Sequence, residues 1–137
     1  MFKLSKPKNK TNQKKILIVD DKPDIVEIIQ HRLNIYGWEV ITSANGREGI
    51  EKAANEKPDL IVLDINMPVM NGHDMLDRLR KDPDLKDIPV IMCTMSDQMK
   101  DISRASSFNI SDYVTKPFNC TELAEKIKDA LNNRASK

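Results

Sequence analysis

The chain alternates between short apolar runs and longer segments in which apolar residues recur at helical spacing. Continuous apolar runs are typical of strands that are buried on both faces of a sheet, and the wider spacing is typical of amphipathic helices. The runs predict five strands, at residues 15–20, 38–42, 60–64, 88–93 and 111–115. A helical pattern follows each of them.

Residues that begin or end helices support this alternation. Pro23 suits the first turn of a helix, with Asp21 as its cap, and Gly37 is suited to end that helix. Asn45 is expected to cap the second helix. The inner face of that helix is predicted to consist of Gly49, Ile50, Ala53 and Ala54.

The third helix is marked by an apolar stripe that includes Leu76 and Leu79, and the fourth has only a thin stripe around Ile102. The final helix has a full stripe, and either Asn119 or Thr121 can cap it.

Strands that alternate with helices predict right-handed crossovers and a parallel sheet with helices on both faces. The predicted fold class is therefore α/β: a doubly wound, five-stranded parallel sheet in a flavodoxin-like (βα)5 three-layer sandwich. One domain is expected at residues 15–133, with a disordered basic arm at 1–14 and a short tail at 134–137.

Charge changes this picture only at the amino terminus. The whole chain is nearly neutral, with 22 basic and 21 acidic residues, but the first fifteen residues contain lysines and no acid. Such an arm is a solubilising tail or an electrostatic contact for an acidic partner, a membrane or nucleic acid. The chain has no apolar stretch long enough to span a membrane, and its two cysteines form no CxxC pair, so we expect a cytoplasmic protein.

Four of the predicted strands end in polar groups. Asp20 and Asp21 end the first, Asp64 the third, Thr94 the fourth and Lys116 the fifth. The carboxyl ends of parallel strands line one crevice, where ligands bind. We therefore expect three carboxylates, one hydroxyl and one ammonium to converge on one pocket.

These groups suit the transfer of a phosphoryl group. Three clustered carboxylates repel one another, and a hard divalent cation such as Mg²⁺ offsets that repulsion. Metal and lysine can balance charge on phosphoryl oxygens, and the hydroxyl can donate a hydrogen bond to them. One carboxylate must then act as the nucleophile, which gives an aspartyl phosphate.

In its motifs and their spacing the chain resembles the receiver domain of two-component response regulators, of the stand-alone, chemotaxis-regulator type. The resemblance covers about residues 15 to 132. The matching segments are Val19-Asp20-Asp21, Leu63-Asp64-Ile65-Asn66-Met67-Pro68, Asn71-Gly72, Thr94 and Asp112-Tyr113-Val114-Thr115-Lys116-Pro117-Phe118.

The resemblance assigns a role to each residue of the acidic pocket. It implies that Asp64 is the phosphoacceptor and a magnesium ligand. Asp21 would be a second direct ligand, Asp20 would act mainly through a bound water, and the backbone carbonyl of Asn66 would be the third protein ligand. Lys116 would contact the phosphoryl oxygens.

Thr94 and Tyr113 match the switch pair of the family. Phosphorylation would pull Thr94 inward and let Tyr113 turn in behind it. That change would alter the face formed by the predicted fourth helix, the fifth strand and the final helix, where a downstream protein would bind. The implied donor is a sensor histidine kinase or a histidine phosphotransfer protein, and a dimer that forms on phosphorylation is left open.

The resulting hypothesis is a single-domain response regulator in phosphorelay signalling. It would catalyse its own phosphorylation and dephosphorylation without being a conventional enzyme, and no direct DNA binding is expected of it. The alternatives are a non-catalytic adaptor with the same fold and the receiver part of a larger regulator. A flavin or nucleotide binder is disfavoured, because Asp21-Lys22-Pro23-Asp24 stands where a glycine-rich phosphate loop would follow the first strand.

Two positions depart from the family pattern. Met95 follows Thr94 where a small residue is usual, and Asn109-Ile110 replaces a Gly-Ala pair before the fifth strand.

Overall fold

The computed structural model describes residues 13–65, 67, 70–95, 110–116 and 119–135, with the backbone alone described at 94, 95, 134 and 135. Strands and helices alternate along most of this length, as the hydrophobic pattern predicts. In chain order the elements are β1 (Lys15–Val19), α1 (Pro23–Asn34), β2 (Glu39–Ser43), α2 (Gly46–Glu56), β3 (Leu60–Asp64), α3 (Gly72–Lys81), β4 (Val90–Met95), β5 (Asp112–Lys116) and α4 (Cys120–Ala135).

The five strands form one parallel sheet in the order β2-β1-β3-β4-β5. The prediction of a doubly wound, five-stranded parallel sheet is therefore confirmed. Helix α4 is the predicted final helix. The predicted fourth helix, around Ile102, lies outside the described residues.

Alternate residues of the strands enter two separate cores, because successive side chains of a strand point to opposite faces. Leu17 and Val19 of β1 pack with residues of α2 and α3, whereas Ile16 and Ile18 pack with residues of α1 and α4. The sheet is thus the middle of three layers. Its central strands are almost fully buried on both sides, which accounts for their continuous apolar sequence.

Two of the predicted helix caps are confirmed. The side chain of Asn45 accepts a hydrogen bond from the Glu48 N–H at the start of α2. At the start of α4, Asn119 Oδ1 accepts a hydrogen bond from the Glu122 N–H at 2.6 Å. Of the two predicted candidates, Asn119 rather than Thr121 therefore caps this helix.

Two details of the predicted helices are wrong. Lys22, not Asp21, precedes the first turn of α1, because the helix starts at Pro23 and Asp21 lies one residue too early to cap it. Ala54 is exposed, whereas the buried face of α2 consists of Gly46, Gly49 and Ala53. Helical geometry places Ala54 beyond the edge of that face.

Helix α3 begins in direct contact with the end of β3. A Cβ built on Gly72 would lie 2.6 Å from the backbone oxygen of Asp64 and 2.8 Å from Cα of Ile65. The Gly72 N–H donates to the Ile65 carbonyl at 2.9 Å. The missing side chain therefore lets the chain return closely past Asp64 and fixes that residue's backbone.

The amino-terminal end of the described chain is tied to the sheet from residue 13 onward. Gln13 Nε2 donates to the Gly37 carbonyl at 3.2 Å, and the Glu39 N–H donates to the Lys14 carbonyl at 2.8 Å. The rest of the predicted basic arm, residues 1–12, lies outside the described residues. Within the part of the chain that is described, no helix has the length and apolar character needed to cross a membrane.

Candidate functional site

Three carboxylates meet at the carboxyl edge of the sheet. Asp64 is the last residue of β3, and Asp20 and Asp21 directly follow β1, which pairs with β3. Each of the three offers an oxygen that lies within 4.8 Å of the others. The topology thus brings together residues that are more than forty positions apart in the chain, as the sequence predicts.

The three carboxylates differ in their access to solvent. Asp64 is 2% exposed and Asp20 is 6% exposed, whereas Asp21 is partly exposed at the rim. A buried carboxylate is costly unless opposite charges or hydrogen bonds compensate it. The groups around Asp64 therefore decide its properties.

Lys116 provides one of these compensating charges. It is the last residue of β5, and its Nζ donates to Asp64 Oδ1 at 2.9 Å and lies 3.7 Å from Asp20 Oδ2. Burial alone would disfavour the ammonium ion. The hydrogen bond to Asp64 and the charges of Asp64 and Asp20 outweigh that cost, so the pKa of Lys116 is raised and the ammonium is retained.

Asp64 itself remains undercompensated. Burial raises the pKa of its carboxyl and outweighs the opposing effect of the hydrogen bond from Lys116. Among the described residues, its buried Oδ2 atom has no hydrogen-bond partner. A carboxylate oxygen in this state is suited to a further cation or to nucleophilic attack.

The donor set fits magnesium. The cation prefers oxygen ligands and usually keeps several waters, and here Asp21 opens the cluster to solvent on one side. Asp64 Oδ2 offers a buried oxygen that accepts no hydrogen bond from any residue in the described part of the chain. The third expected protein ligand, the carbonyl of Asn66, lies outside the described residues.

Lys22 is a part of the site that the sequence did not predict. Its backbone N–H donates to Asp20 Oδ1 at 2.9 Å, which helps to orient that carboxylate. Its Nζ lies 3.2 Å from Asp21 Oδ1 and 4.0 Å from Asp64 Oδ2. The available signal was its position beside two acidic residues, but adjacency in sequence does not say where a flexible side chain reaches.

The two expected switch residues lie on neighbouring strands. Thr94 is in β4, one position beyond Cys93, the register partner of Asp64, so its backbone lies at the same edge as the carboxylates. Tyr113 is in β5, is partly buried and packs against the core on the α2 and α3 side. Its ring centroid lies 6.0 Å from Lys126 Nζ on α4.

Cys93 lies next to the acidic cluster but does not add a reactive group to it. The residue is buried, and burial raises the pKa of its thiol far above the usual range. Cys93 therefore acts as a small buried hydrophobic residue rather than as a reactive thiol.

Comparison with known families gives one match over most of the chain. The family described as the response regulator receiver domain matches residues 16–128. This range contains every described residue of the acidic pocket.

Curated relatives match the same region. The "Probable transcriptional regulator ycf27" of Cyanophora paradoxa is 40% identical over 120 residues, which is 88% of this chain and 49% of the relative. The "Alkaline phosphatase synthesis transcriptional regulatory protein PhoP" of Bacillus subtilis is 39% identical over 118 residues, which is 86% of this chain and 48% of the relative. The chain therefore spans about half the length of these relatives.

Solved structures of similar size share the fold. A CheY-like response regulator receiver domain protein from Methanospirillum hungatei has a TM-score of 0.85 and 31% identity, over 91% of this chain and 98% of its own. The chemotaxis protein CheY4 of Vibrio cholerae has a TM-score of 0.81 and 31% identity, over 86% of this chain and 98% of its own.

Proposed function

The chain belongs to the family of response regulator receiver domains, and from this we propose that it accepts a phosphoryl group on Asp64. The donor would be a phosphohistidine on a sensor histidine kinase or a histidine phosphotransfer protein. The observation that supports the proposal most directly is the buried Asp64 carboxylate, held on one oxygen by Lys116 and without a hydrogen-bond partner among the described residues on the other.

The proposed reaction is a transfer between two nucleophiles. An oxygen of Asp64 attacks phosphorus, an O–P bond forms, and the P–N bond of the phosphohistidine breaks so that its electron pair returns to the imidazole. In the second half of the cycle, the oxygen of a water molecule attacks the same phosphorus, the bond between phosphorus and the Asp64 oxygen breaks, and the water loses a proton to the released phosphate or to solvent. That step releases inorganic phosphate and restores the Asp64 carboxylate, so the domain would catalyse both its own phosphorylation and its own dephosphorylation.

Lys116 is positioned to assist both steps. Its ammonium already lies 2.9 Å from Asp64 Oδ1, and from there it can contact the oxygens of an incoming phosphoryl group. The hydroxyl group of Thr94 would donate a hydrogen bond to the same oxygens. These groups offset charge that the transferred phosphoryl group carries in the transition state.

Magnesium would be held by Asp21 and Asp64, with Asp20 acting through a bound water and Asn66 through its backbone carbonyl. When bound, the ion neutralises charge on the phosphoryl oxygens and lowers the repulsion between donor and acceptor. The close approach of the three carboxylates supports this proposal.

The output would be a shift between two conformations. Phosphorylation adds about two negative charges at Asp64. These charges would draw Thr94 inward and let Tyr113 follow. The surface expected to change is formed by the predicted fourth helix, β5 and α4. A downstream protein, or a second copy of the chain, would recognise this surface.

The setting of the domain is also a proposal. We infer a receiver domain at residues 15–133, a basic arm at 1–14 and a short tail at 134–137, acting in the cytoplasm and without binding DNA directly. Two relatives named as transcriptional regulators are about twice as long as the chain, which keeps the alternative that it is the receiver part of a larger regulator.

The main alternative to a phosphoryl-accepting receiver is a non-catalytic adaptor with the same fold. A receiver and an adaptor would differ in their response to a small phosphoryl donor. Incubation with acetyl phosphate and Mg²⁺ should add one phosphoryl group by intact-protein mass spectrometry. Chelation of the metal should prevent the addition. Asp64→Asn should gain nothing, whereas Asp77→Asn, which changes a partly exposed carboxylate of α3, should react like the wild type. An adaptor would stay unmodified under all of these conditions.

A further inference from the structure

We propose that Lys22 is a resident counter-ion of the acidic site, which competes with magnesium and lowers its affinity for the protein. The inference rests on the proposed function, because it concerns the same carboxylates. Lys22 would not bind the metal itself, but it would help to set the affinity of the site for magnesium.

The two oxygens of Asp64 face two different ammonium groups. Lys116 donates to Oδ1 at 2.9 Å, and Lys22 Nζ lies 4.0 Å from Oδ2. The second distance is too long for a hydrogen bond, so among the described residues Oδ2 accepts no hydrogen bond, although it lies close enough to experience the charge of Lys22. Lys22 Nζ also lies 3.2 Å from Asp21 Oδ1 and therefore spans the two expected direct ligands of the metal.

The two lysines are held in different ways. The side chain of Lys116 is 20% exposed, whereas that of Lys22 is 52% exposed. The backbone of Lys22 is fixed by the bond from its N–H to Asp20 Oδ1 and by Pro23, which starts α1 directly after it. Lys22 thus has a fixed base at the rim of the site and a long side chain that can move into solvent.

This difference determines which ammonium must leave. A cation bound to Asp21 and Asp64 Oδ2 would occupy the space that Lys22 Nζ faces, and two positive charges a few ångströms apart repel each other. Lys116 contacts the opposite oxygen of Asp64 and can remain. Metal binding would therefore displace Lys22 towards solvent, and the loss of its two carboxylate contacts would weaken the apparent affinity for magnesium.

Lys22 should also stabilise the metal-free protein. Without metal, the positive charge of Lys22 offsets part of the repulsion among Asp20, Asp21 and Asp64. Its removal should lower the melting temperature in the presence of a chelator. Saturating magnesium should then raise the melting temperature of the variant by more than it raises that of the wild type.

Isothermal titration calorimetry with MgCl₂ at constant ionic strength tests the proposal on the full chain. Lys22→Met should bind magnesium about threefold to tenfold more tightly than the wild type, since a partly screened charge is removed. Lys22→Gln should behave in the same way and serves if the Met variant folds poorly. Lys22→Arg keeps the charge and should stay within about twofold of the wild type.

Lys81→Met provides the matched control for net charge. Lys81 is an exposed lysine that pairs with Asp77 at 3.0 Å, near the end of α3 away from the acidic cluster. Its removal should leave magnesium affinity unchanged, so an equal gain in Lys22→Met and Lys81→Met would reduce the effect to net charge and overturn the proposal.

The outcomes separate this inference from the function on which it rests. If the wild type binds magnesium and Lys22→Met and Lys22→Gln bind it no more tightly, the role of Lys22 is wrong while the metal site stands. If neither the wild type nor any variant binds magnesium, the proposed metal site fails and the competition fails with it.

Discussion

Asp64 combines two properties that oppose each other at the scale of a single residue. Burial favours its neutral form, whereas the hydrogen bond from Lys116 favours the carboxylate. The first effect is larger, so the pKa of the folded protein is raised above the ordinary value of 3.8. An ionised Asp64 therefore lowers the stability of the fold. Residues of this kind are typical of functional sites, where a residue is retained for its reactivity rather than for stability.

This shift predicts a stability difference that depends on pH. When the pKa of a carboxyl group is higher in the folded than in the unfolded protein, its contribution to stability is fully present only at a pH below the pKa of the unfolded state. That contribution is lost as the pH rises through the pKa of the folded state. Asp64→Asn removes this titration. The stability of the variant relative to the wild type should therefore increase as the pH is raised from about 3.5 to about 7. Urea unfolding in the presence of a chelator measures the difference, and a difference that stays constant or shrinks over this range would contradict the shift.

The placement of the site residues could be predicted from the sequence wherever it depended on position at a strand end. Asp20, Asp21, Asp64 and Lys116 all lie where the apolar runs placed them. Lys22 could not be placed in this way, because its contacts depend on how a long side chain crosses the rim of the pocket.

The elements were predictable in kind and order but not at their ends. Apolar runs identify the five strands, because a strand that is buried on both faces is apolar throughout. Apolar stripes at helical spacing identify the four described helices, because each helix buries one side. Their boundaries depend on hydrogen bonds that local sequence does not specify. The predicted start of β4 was two residues early: Ile88 belongs to the preceding turn and the strand begins at Val90.

The close contact between the start of α3 and the end of β3 should be needed to position Asp64. Gly72→Ala would place a Cβ against the backbone of Asp64 and Ile65, which has little room to shift. Overpacking of this kind costs typically about 1–3 kcal/mol, and the displacement should also slow phosphorylation of Asp64. Urea unfolding and the acetyl phosphate reaction measure the two effects.

Gly37 supplies the control for this substitution. It has a φ of +89° but no atom within 4 Å of a built Cβ, so Gly37→Ala is strained in the backbone without crowding the site. The Gly37 variant should lose stability and keep the wild-type phosphorylation rate. Equal rates in both variants would show that the contact at Gly72 does not position Asp64.

At the scale of the whole molecule, the hydrophobic pattern predicts the parallel sheet but does not by itself determine the order of its strands. Continuous apolar strands that alternate with helices require helices on both faces. The order β2-β1-β3-β4-β5 depends on contacts between distant segments. This order puts β1 beside β3, and that adjacency is what assembles the three carboxylates.

The amino-terminal arm should matter to partners and not to the fold. Deletion of residues 1–12 keeps Gln13 and Lys14, whose bonds reach Gly37 and Glu39, so it should change the free energy of unfolding by less than about 0.5 kcal/mol. A deletion that also removes Lys15 loses the bonds to Asp59 and Glu56 and should be clearly destabilising. A large loss in the shorter deletion would mean that the arm docks on the domain.

Asp64 itself is proposed to carry the phosphoryl group. Treatment with acetyl phosphate and Mg²⁺, reduction of the acyl phosphate with borohydride and peptide mass spectrometry would identify the modified residue directly, because borohydride reduces a carboxyl group activated as an acyl phosphate to an alcohol and leaves a free carboxylate unchanged. Asp64 should be converted to homoserine, with Asp20 and Asp21 unchanged and no conversion when a chelator replaces the metal. Conversion at another aspartate, or none in the wild type, would show that Asp64 is not the phosphoacceptor.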